Sequence, residues 1–323
     1  LSARAQGIPR QRLLFRHLLP AAANPLISLF GFSLGTLHGL AIFAGFLAPY
    51  PYAEQHREFP YAPPTRIHLS RLQFLVHGRL VGVRQPGVIF LLGSDAYGRD
   101  VFSRLLYGGR VSLLTGLLAA FLSLSLGLAL ATAAGFYGGW LDRLLMRGGE
   151  LVMALPWLYL LLAVRAFLPL HITTVQAFFL LIAIIGGVGW VRPARLIRGV
   201  VLSARERGFV LAARGFGASD AYLIRRHILP LTLGVVLTQA TVLIPQYILA
   251  EVALSFLGLG VGEPVPSWGN MLAEAQQYHA LVAHGWMLAP GLAIIPVLLG
   301  YLLLADTLLE KGVRRIFRGG KCV

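Results

Sequence analysis

The chain has 323 residues, 57% of them hydrophobic and only 13% charged, with a mean hydropathy of +0.72. Soluble domains carry about a quarter charged residues, so this balance excludes an ordinary soluble fold and points to a polytopic membrane protein. The formal charge of +15 raises nucleic acid as a partner, yet 26 of the 28 basic residues are arginines clustered between apolar runs. That is the pattern of membrane topology, not of a basic binding face, and no nucleic-acid partner is expected.

In chain order, residues 1–24 carry Arg4, Arg10, Arg12 and Arg16 without an acid, and an apolar run follows over 25–48. At roughly 23 residues it exceeds the apolar core of about 7–15 in a signal peptide, so a first membrane span is predicted there. Pro49 and Pro51 end it. Residues 49–109 form a mixed polar segment with seven arginines, in which Val88–Leu92 reads as a strand or an interfacial turn. A second span is predicted over Val111–Phe136, rich in small residues that allow close helix approach in lipid. Gly138-Gly139 breaks it, and a short loop with Asp142, Arg143 and Arg147 follows. The third span is placed at Glu150–Phe167 with a kink at Pro156. The fourth runs from about Thr173 to Val191, the fifth from Pro230 to Phe256, and the sixth from Trp286 to Ala305. The tail, 307–323, is basic.

Six spans put both termini on one side. Both are basic, as are the second–third and fourth–fifth connections, whereas 257–285 holds Glu263 and Glu274 with no Lys or Arg. The expected topology is N-in and C-in, with 193–229 cytosolic and both 49–109 and 257–285 external. The seven arginines of 49–109 are the one dissent.

Few residues are arranged for chemistry. The only lysines, Lys311 and Lys321, precede Gly312 and Cys322, so no Gly-Lys-Ser/Thr phosphate loop exists. GLGVG at 258–262 follows a span and reads as a turn. His56, His68, His77, His279 and His284 have no metal-ligand pattern, and the single Cys322 gives neither a disulfide nor a cysteine metal site. No catalytic, cofactor-binding or metal-binding residue is assigned. Glu251 lies in an apolar run, where a carboxylate is costly and often functional. It reads as a structural acceptor for the glycine-rich backbone that follows, with substrate contact as the alternative. Asp306 reads as a pairing residue at the cytosolic surface, and Arg165 as a side chain reaching toward the outer face.

The stretch Ser203–Pro230 cannot cross lipid, since eight arginines lie between Arg192 and Arg226 against only Glu206 and Asp220. It reads as two short helices. The first, Ser203–Arg214, offers Phe209, Val210, Ala212, Ala213 and Phe216 as a small apolar surface, and Gly215 and Gly217 break it. Ser219 N-caps the second, with Asp220 in its first turn. Arg225, Arg226 and His227 anchor the chain at the headgroups, and Pro230 suits the first turn of the next span. Two readings stay open here: an amphipathic segment lying on lipid, or a docking knob whose alanines let a partner groove close around it.

Ala212-Ala213, Gly217 and His227-Ile228-Leu229-Pro230 stand at the spacing E-A-A-x3-G-x9-I-x-L-P, with Leu211 in place of the glutamate and His227 in place of the isoleucine. The sequence thereby resembles the inner-membrane permease subunits of ABC importers. LLGSDAYGRDVFSRLLYGGRVSL (91–113), GFYGGWLDRLLMR (135–147) and EVALSFLGLGVGEPVPSWGNML (251–272) are similar to the dipeptide, oligopeptide and nickel branch, in its second, C-type permease. The resemblance implies an all-α type I importer fold of six transmembrane helices, its transmembrane domain over 110–306 and a cytosolic coupling loop at 203–221. It implies a translocation path shared with a second permease and a substrate delivered by an external binding protein. ATP and Mg would be held by two cytosolic ATPases, with no cofactor on this chain. Ala212, Ala213, Arg214, Gly217, Ser219 and Asp220 would contact an ATPase, Pro230 would serve membrane re-entry, and Glu251 the outer gate or its support. Peptides are the expected solute; nickel chelates, opines or oligosaccharides are the alternatives, and a membrane scaffold is the non-transport alternative.

Overall fold

A helix of 37 residues, α2 (Val101–Tyr137), organises the bundle. At 1.5 Å per residue it is about 55 Å long, enough to cross a bilayer and project beyond it. Asp100 caps its start by accepting from the Ser103 N–H at 2.8 Å. Gly138, at φ +67°, ends it with its N–H on the Ala134 carbonyl. The computed structural model describes residues 39, 43–65, 72–76, 79–83, 88–167, 172–276 and 282–303.

The other elements, in order, are a single turn α1 (Ala44–Leu47), a hairpin β1 (Leu72–Val76) and β2 (Arg79–Val83), α3 (Gly139–Ala154), α4 (Trp157–Ala166), α5 (Thr174–Gly189), α6 (Val191–Arg205), α7 (Gly208–Gly215), α8 (Asp220–Leu223), a π-helical turn (Ile224–Ile228), α9 (Leu229–Phe256) and α10 (Trp268–Glu274). The last, α11 (Gly285–Leu303), opens with a 3-10 turn over Gly285–Leu288. The hairpin is antiparallel, with Leu72 opposite Val83. It is the one departure from an all-helical chain among the described residues, and it lies inside the 49–109 segment. Val88–Leu92 forms no strand; Leu91 and Leu92 lie in a turn.

Among the described residues, three helices are long and apolar enough to cross a membrane: Val101–Tyr137, Asp220–Phe256 and Gly285–Leu303. Two bent pairs, α3 with α4 at 94° and α5 with α6 at 45°, raise the number to five. Residues 1–24, most of the predicted first span at 25–48, Asp306 and the tail 307–323 lie outside the described residues, as do His68, His77 and His279.

Packing along α2 depends on small residues. A Cβ added at Gly116 would run into Ile248 of α9, and one at Gly135 would lie 2.9 Å from the Val201 side chain of α6. In return, a Cβ on Gly186 of α5 would sit 2.8 Å from the Ala119 carbonyl oxygen. Helices meeting this closely gain van der Waals contact that lipid tails cannot match. The central cluster joins Ala119 and Leu124 of α2, Leu161 of α4, Leu181 and Ile185 of α5, and Leu243, Tyr247 and Leu254 of α9. Within it the Tyr247 hydroxyl meets the Ser123 hydroxyl at 2.9 Å, and Trp157 stacks on the Tyr247 ring.

Several boundaries differ from the sequence reading. The span expected from Val111 begins ten residues earlier, because Asp100 caps a helix whose first ten residues carry Ser103, Arg104 and Arg110 among apolar ones. The residues expected in a loop after Gly139 are helical in α3. The kink at Pro156 is a 94° break, with Leu155 extended as residues before proline usually are. The fourth span does not stop at Val191. Pro193 cannot bond the Gly189 carbonyl, so the chain bends there and runs on as α6. The helix expected over Ser203–Arg214 is divided, since Arg207 is extended and caps a separate α7.

Neighbouring glycines in α5 test the close packing. Gly186→Leu should destabilise the solubilised protein by about 1–3 kcal/mol through overpacking. Gly187→Leu, with nothing within 4 Å of its added Cβ, should leave the unfolding temperature nearly unchanged. Equal effects at the two positions would contradict the α2–α5 contact.

Candidate functional site

The stretch after α6 folds into a knob fixed from beneath and open above. Val210 of α7, Leu223 of α8 and Ile228 of the π turn are buried in one cluster with Phe136 of α2 and Ile197, Val201 and Ala204 of α6. Val210 was expected on the apolar surface but points inward as the anchor. Outward lie Phe209, Leu211, Tyr222 and Phe216, the last 93% exposed. Ala212 is exposed and Ala213 half-buried against the cluster. Gly217 adopts φ +82°, a conformation that suits glycine, and lets the chain reverse between α7 and α8. Ser219 caps α8 by accepting from the Tyr222 N–H at 3.4 Å, with Asp220 in the first turn.

Four of the eight arginines from Arg192 to Arg226 hold protein groups. Arg198 makes a two-pronged ion pair with Asp142 of α3, Arg195 pairs with Glu150 at 2.7 Å, and Arg205 donates to the Gly135 carbonyl at 3.0 Å. Arg214 lies over the Phe136 ring, 5.3 Å from its centre, a cation–π contact with the end of α2. Arg225 and Arg226 are exposed. Pro230 sits in the first turn of α9. Because it lacks an N–H, the ladder cannot run regularly into it, and the π turn at Ile224–Ile228 takes up the irregularity without breaking the helix. The knob therefore continues into α9 as one body.

Ala212, Ala213, Arg214, Gly217, Ser219 and Asp220 thus come together. Glu251 does not. It is 31 residues beyond Asp220 on the same continuous helix, Asp220–Phe256, hence about 45 Å away at the other end of the bundle. It is fully buried, and Ser255 donates to Oε1 at 2.6 Å while Oε2 makes no hydrogen bond. Its donor is a hydroxyl one turn on, not the glycine-rich backbone. The Ser112 and Ser267 hydroxyls stand alongside the carboxyl. Arg165 does not reach outward either. It is buried, and its Nε donates to the Leu259 carbonyl at 2.8 Å, satisfying backbone beyond the end of α9.

The same end holds a buried charge cluster absent from the sequence reading. Arg99 donates to Asp95 at 2.5 Å, Glu263 at 2.6 Å and Glu274 at 2.9 Å. Arg104, 1% exposed, donates to Glu263 at 2.9 Å and Glu274 at 3.0 Å. Trp268 completes the junction: its backbone N–H bonds the Ser112 hydroxyl and its indole N–H the Leu105 carbonyl. Above it the Trp286 indole donates to the Ser94 carbonyl, and Tyr61 stacks on His284 at 4.3 Å. The segments 91–113 and 251–272, far apart in sequence, are docked on each other, so the described residues around Arg99 and around Glu263 and Glu274 occupy the same end. Opposite charges in two polar segments are a weak signal for such pairing; the arginines were countable, but not their partners.

Three carboxylates share two guanidinium groups. Burial pushes the Glu274 carboxyl up to about 7 despite Arg104 and Arg99, with Asp95 and Glu263 adding to the rise. Glu263 is held below its ordinary value, as the hydrogen bond and charge of Arg104 outweigh burial. Asp100 is pushed up to about 6 by burial, and its Oδ1 makes no hydrogen bond. Carboxyls with raised pKa hold protons in the fold that the unfolded chain has already lost, so their stability is present at low pH and lost as pH rises toward 7. Unfolding temperature should therefore fall from about pH 5 to about pH 8, and Glu274→Gln should flatten that slope. An unchanged slope in Glu274→Gln would count against a shared proton in the cluster.

Comparison with known proteins agrees with this architecture. Residues 1–56 and 123–315 match the family described as the inner membrane component of binding-protein-dependent transport systems. The dipeptide transport system permease protein DppC of Alkalihalophilus pseudofirmus is 37% identical over 224 residues, 69% of this chain and 71% of that protein. The di/tripeptide transport system permease protein DppC of Pseudomonas aeruginosa is 37% identical over 271 residues, 83% of this chain and 81% of its own length. The glutathione transport system permease protein GsiD of Shigella dysenteriae is 37% identical over 230 residues, covering 71% and 72%. The chain belongs to the family of inner membrane components of binding-protein-dependent transport systems.

Proposed function

We propose that this chain is a permease subunit of an ATP-driven importer of di- or oligopeptides, one half of a path completed by a second permease. The observation that carries the reading is the knob, anchored through Val210, Leu223 and Ile228 yet uncovered at Phe209, Leu211, Phe216 and Tyr222. A fixed apolar projection of this kind suits a groove on a partner that moves. The partner is a cytosolic ATPase, two of which bind ATP and Mg. The peptide substrate is supported by the names of the relatives, which are dipeptide, di/tripeptide and glutathione permeases.

In this reading the knob faces the cytosol and the Arg99–Glu263 junction faces outward, where an external binding protein delivers the peptide. Six spans give N-in and C-in. The charge pairing supports an external 49–109 in part, since two of its seven arginines, Arg99 and Arg104, are paired with carboxylates. ATP-driven closure of the ATPases would displace the knob. Its continuity with α9, and the contact of Arg214 with the end of α2, would carry that displacement about 45 Å as rigid-body rocking. Glu251 and its serines would brace the outer end of α9 or gate it. Catalysis of ATP hydrolysis belongs to the partners.

Phe216→Ala removes an exposed ring and should leave membrane insertion and unfolding temperature unchanged. Peptide uptake should fall at least about tenfold, as for loss of an interface anchor, with the ATPase subunits lost on purification. Gly217→Trp, which strains the positive φ and adds bulk, should behave likewise. Normal uptake and normal ATPase retention in both variants would refute the docking role.

A further inference from the structure

Helix α3 has two unlike sides. Trp140, Leu144 and Leu151, at positions i, i+4 and i+11, lie on one side and are exposed. Next to this stripe, between α3 and α6, is an open cavity of about 480 Å³ lined by Asp142, Arg143, Arg147, Glu150, Arg195 and Arg198. Four arginines against two carboxylates leave two positive charges uncompensated. The pairings show which ones. Arg198 is committed to Asp142 and Arg195 to Glu150. Arg143 spends only its Nε, on the Gly139 carbonyl. Arg147 has no hydrogen bond or ion pair among the described residues, and both side chains are exposed.

The geometry points to a binding site for the phosphodiester of an anionic phospholipid, formed by Arg143 and Arg147 at the mouth of this cavity. Three observations converge on it. The apolar stripe beside the cavity would take acyl chains while the cavity takes the headgroup, the division expected of an interfacial helix. Guanidinium groups offer paired donors matched to phosphate oxygens. The volume falls within the range of about 300–1,000 Å³ typical of small-molecule sites. An arginine near an anionic surface also adds attraction that a neutral lipid does not receive.

The test uses the full chain, purified with its partner subunits into nanodiscs of phosphatidylcholine containing a minor fraction of phosphatidylglycerol, with co-retained lipid counted after partial delipidation. Phosphatidylglycerol should be retained in preference to phosphatidylcholine. Arg143→Gln with Arg147→Gln should weaken that retention by on the order of tenfold or more, and the double lysine variant, which keeps the charge but not the paired donors, should keep only part of it. Equal retention of both lipids by the unaltered protein would overturn the proposal. So would displacement of phosphatidylglycerol by an equal concentration of inorganic phosphate, which would assign the cavity to a free anion. Release of an ATPase subunit by the glutamine variant, with lipid retention unchanged, would assign it to a protein contact and equally overturn it. Uptake is not the readout, so failure here leaves the importer reading intact.

Discussion

Close approach of α2 to α5, α6 and α9 is the constraint on which the rest of the molecule depends. In lipid, apolar side chains gain little by leaving hydrocarbon for one another, so helices must be held by contact at short range. Gly116 and Gly135 on α2, and Gly186 facing it, supply that range. The Ser123–Tyr247 hydroxyl pair then fixes the rotation of α9 against α2. The knob and the buried charge cluster stand at the two ends of this packed axis.

At one end the polar segments are gathered by charge. Arg99 stands just before the Asp100 cap of α2 and Arg104 in its second turn, so the cap also aims both guanidinium groups at Glu263 and Glu274. Pairs this deeply buried are poor sources of net stability, because desolvation offsets their attraction. What they supply is register: only one docking of α10 on α2 satisfies both arginines, and Trp268 with Ser112 repeats the same choice in uncharged groups. At the other end Arg198, Arg195 and Arg205 tie α6 to α3 and α2, while Phe209, Leu211, Phe216 and Tyr222 of the knob are exposed.

Much of this was legible in sequence. The apolar runs located the bundle, Gly138 its first break, Ser219 the cap of α8, and the Ala212-Ala213…Gly217 spacing the knob. Boundaries failed where local chemistry extended or split a helix beyond its apolar run: Asp100 lengthened α2, Pro193 bent α5 into α6, and extended Arg207 separated α7. Side-chain destinations were least legible. Arg165 reads as a side chain reaching toward the outer face, yet it is buried and serves the Leu259 carbonyl. Of the seven arginines of 49–109, two are balanced by acids about 160–175 positions away, which no count of charges along the chain reveals.

The most direct measurement is cross-linking from the tip of the knob in native membranes. Phe216→Cys, placed in a chain whose single cysteine is replaced (Cys322→Ser), should form an adduct with an ATPase subunit, and the yield should change when ATP is added. A cysteine at exposed Tyr97, at the opposite end of the bundle, should give no such adduct. Reaction with the ATPase from position 97, or its absence from position 216 while both chains are present and folded, would contradict the account.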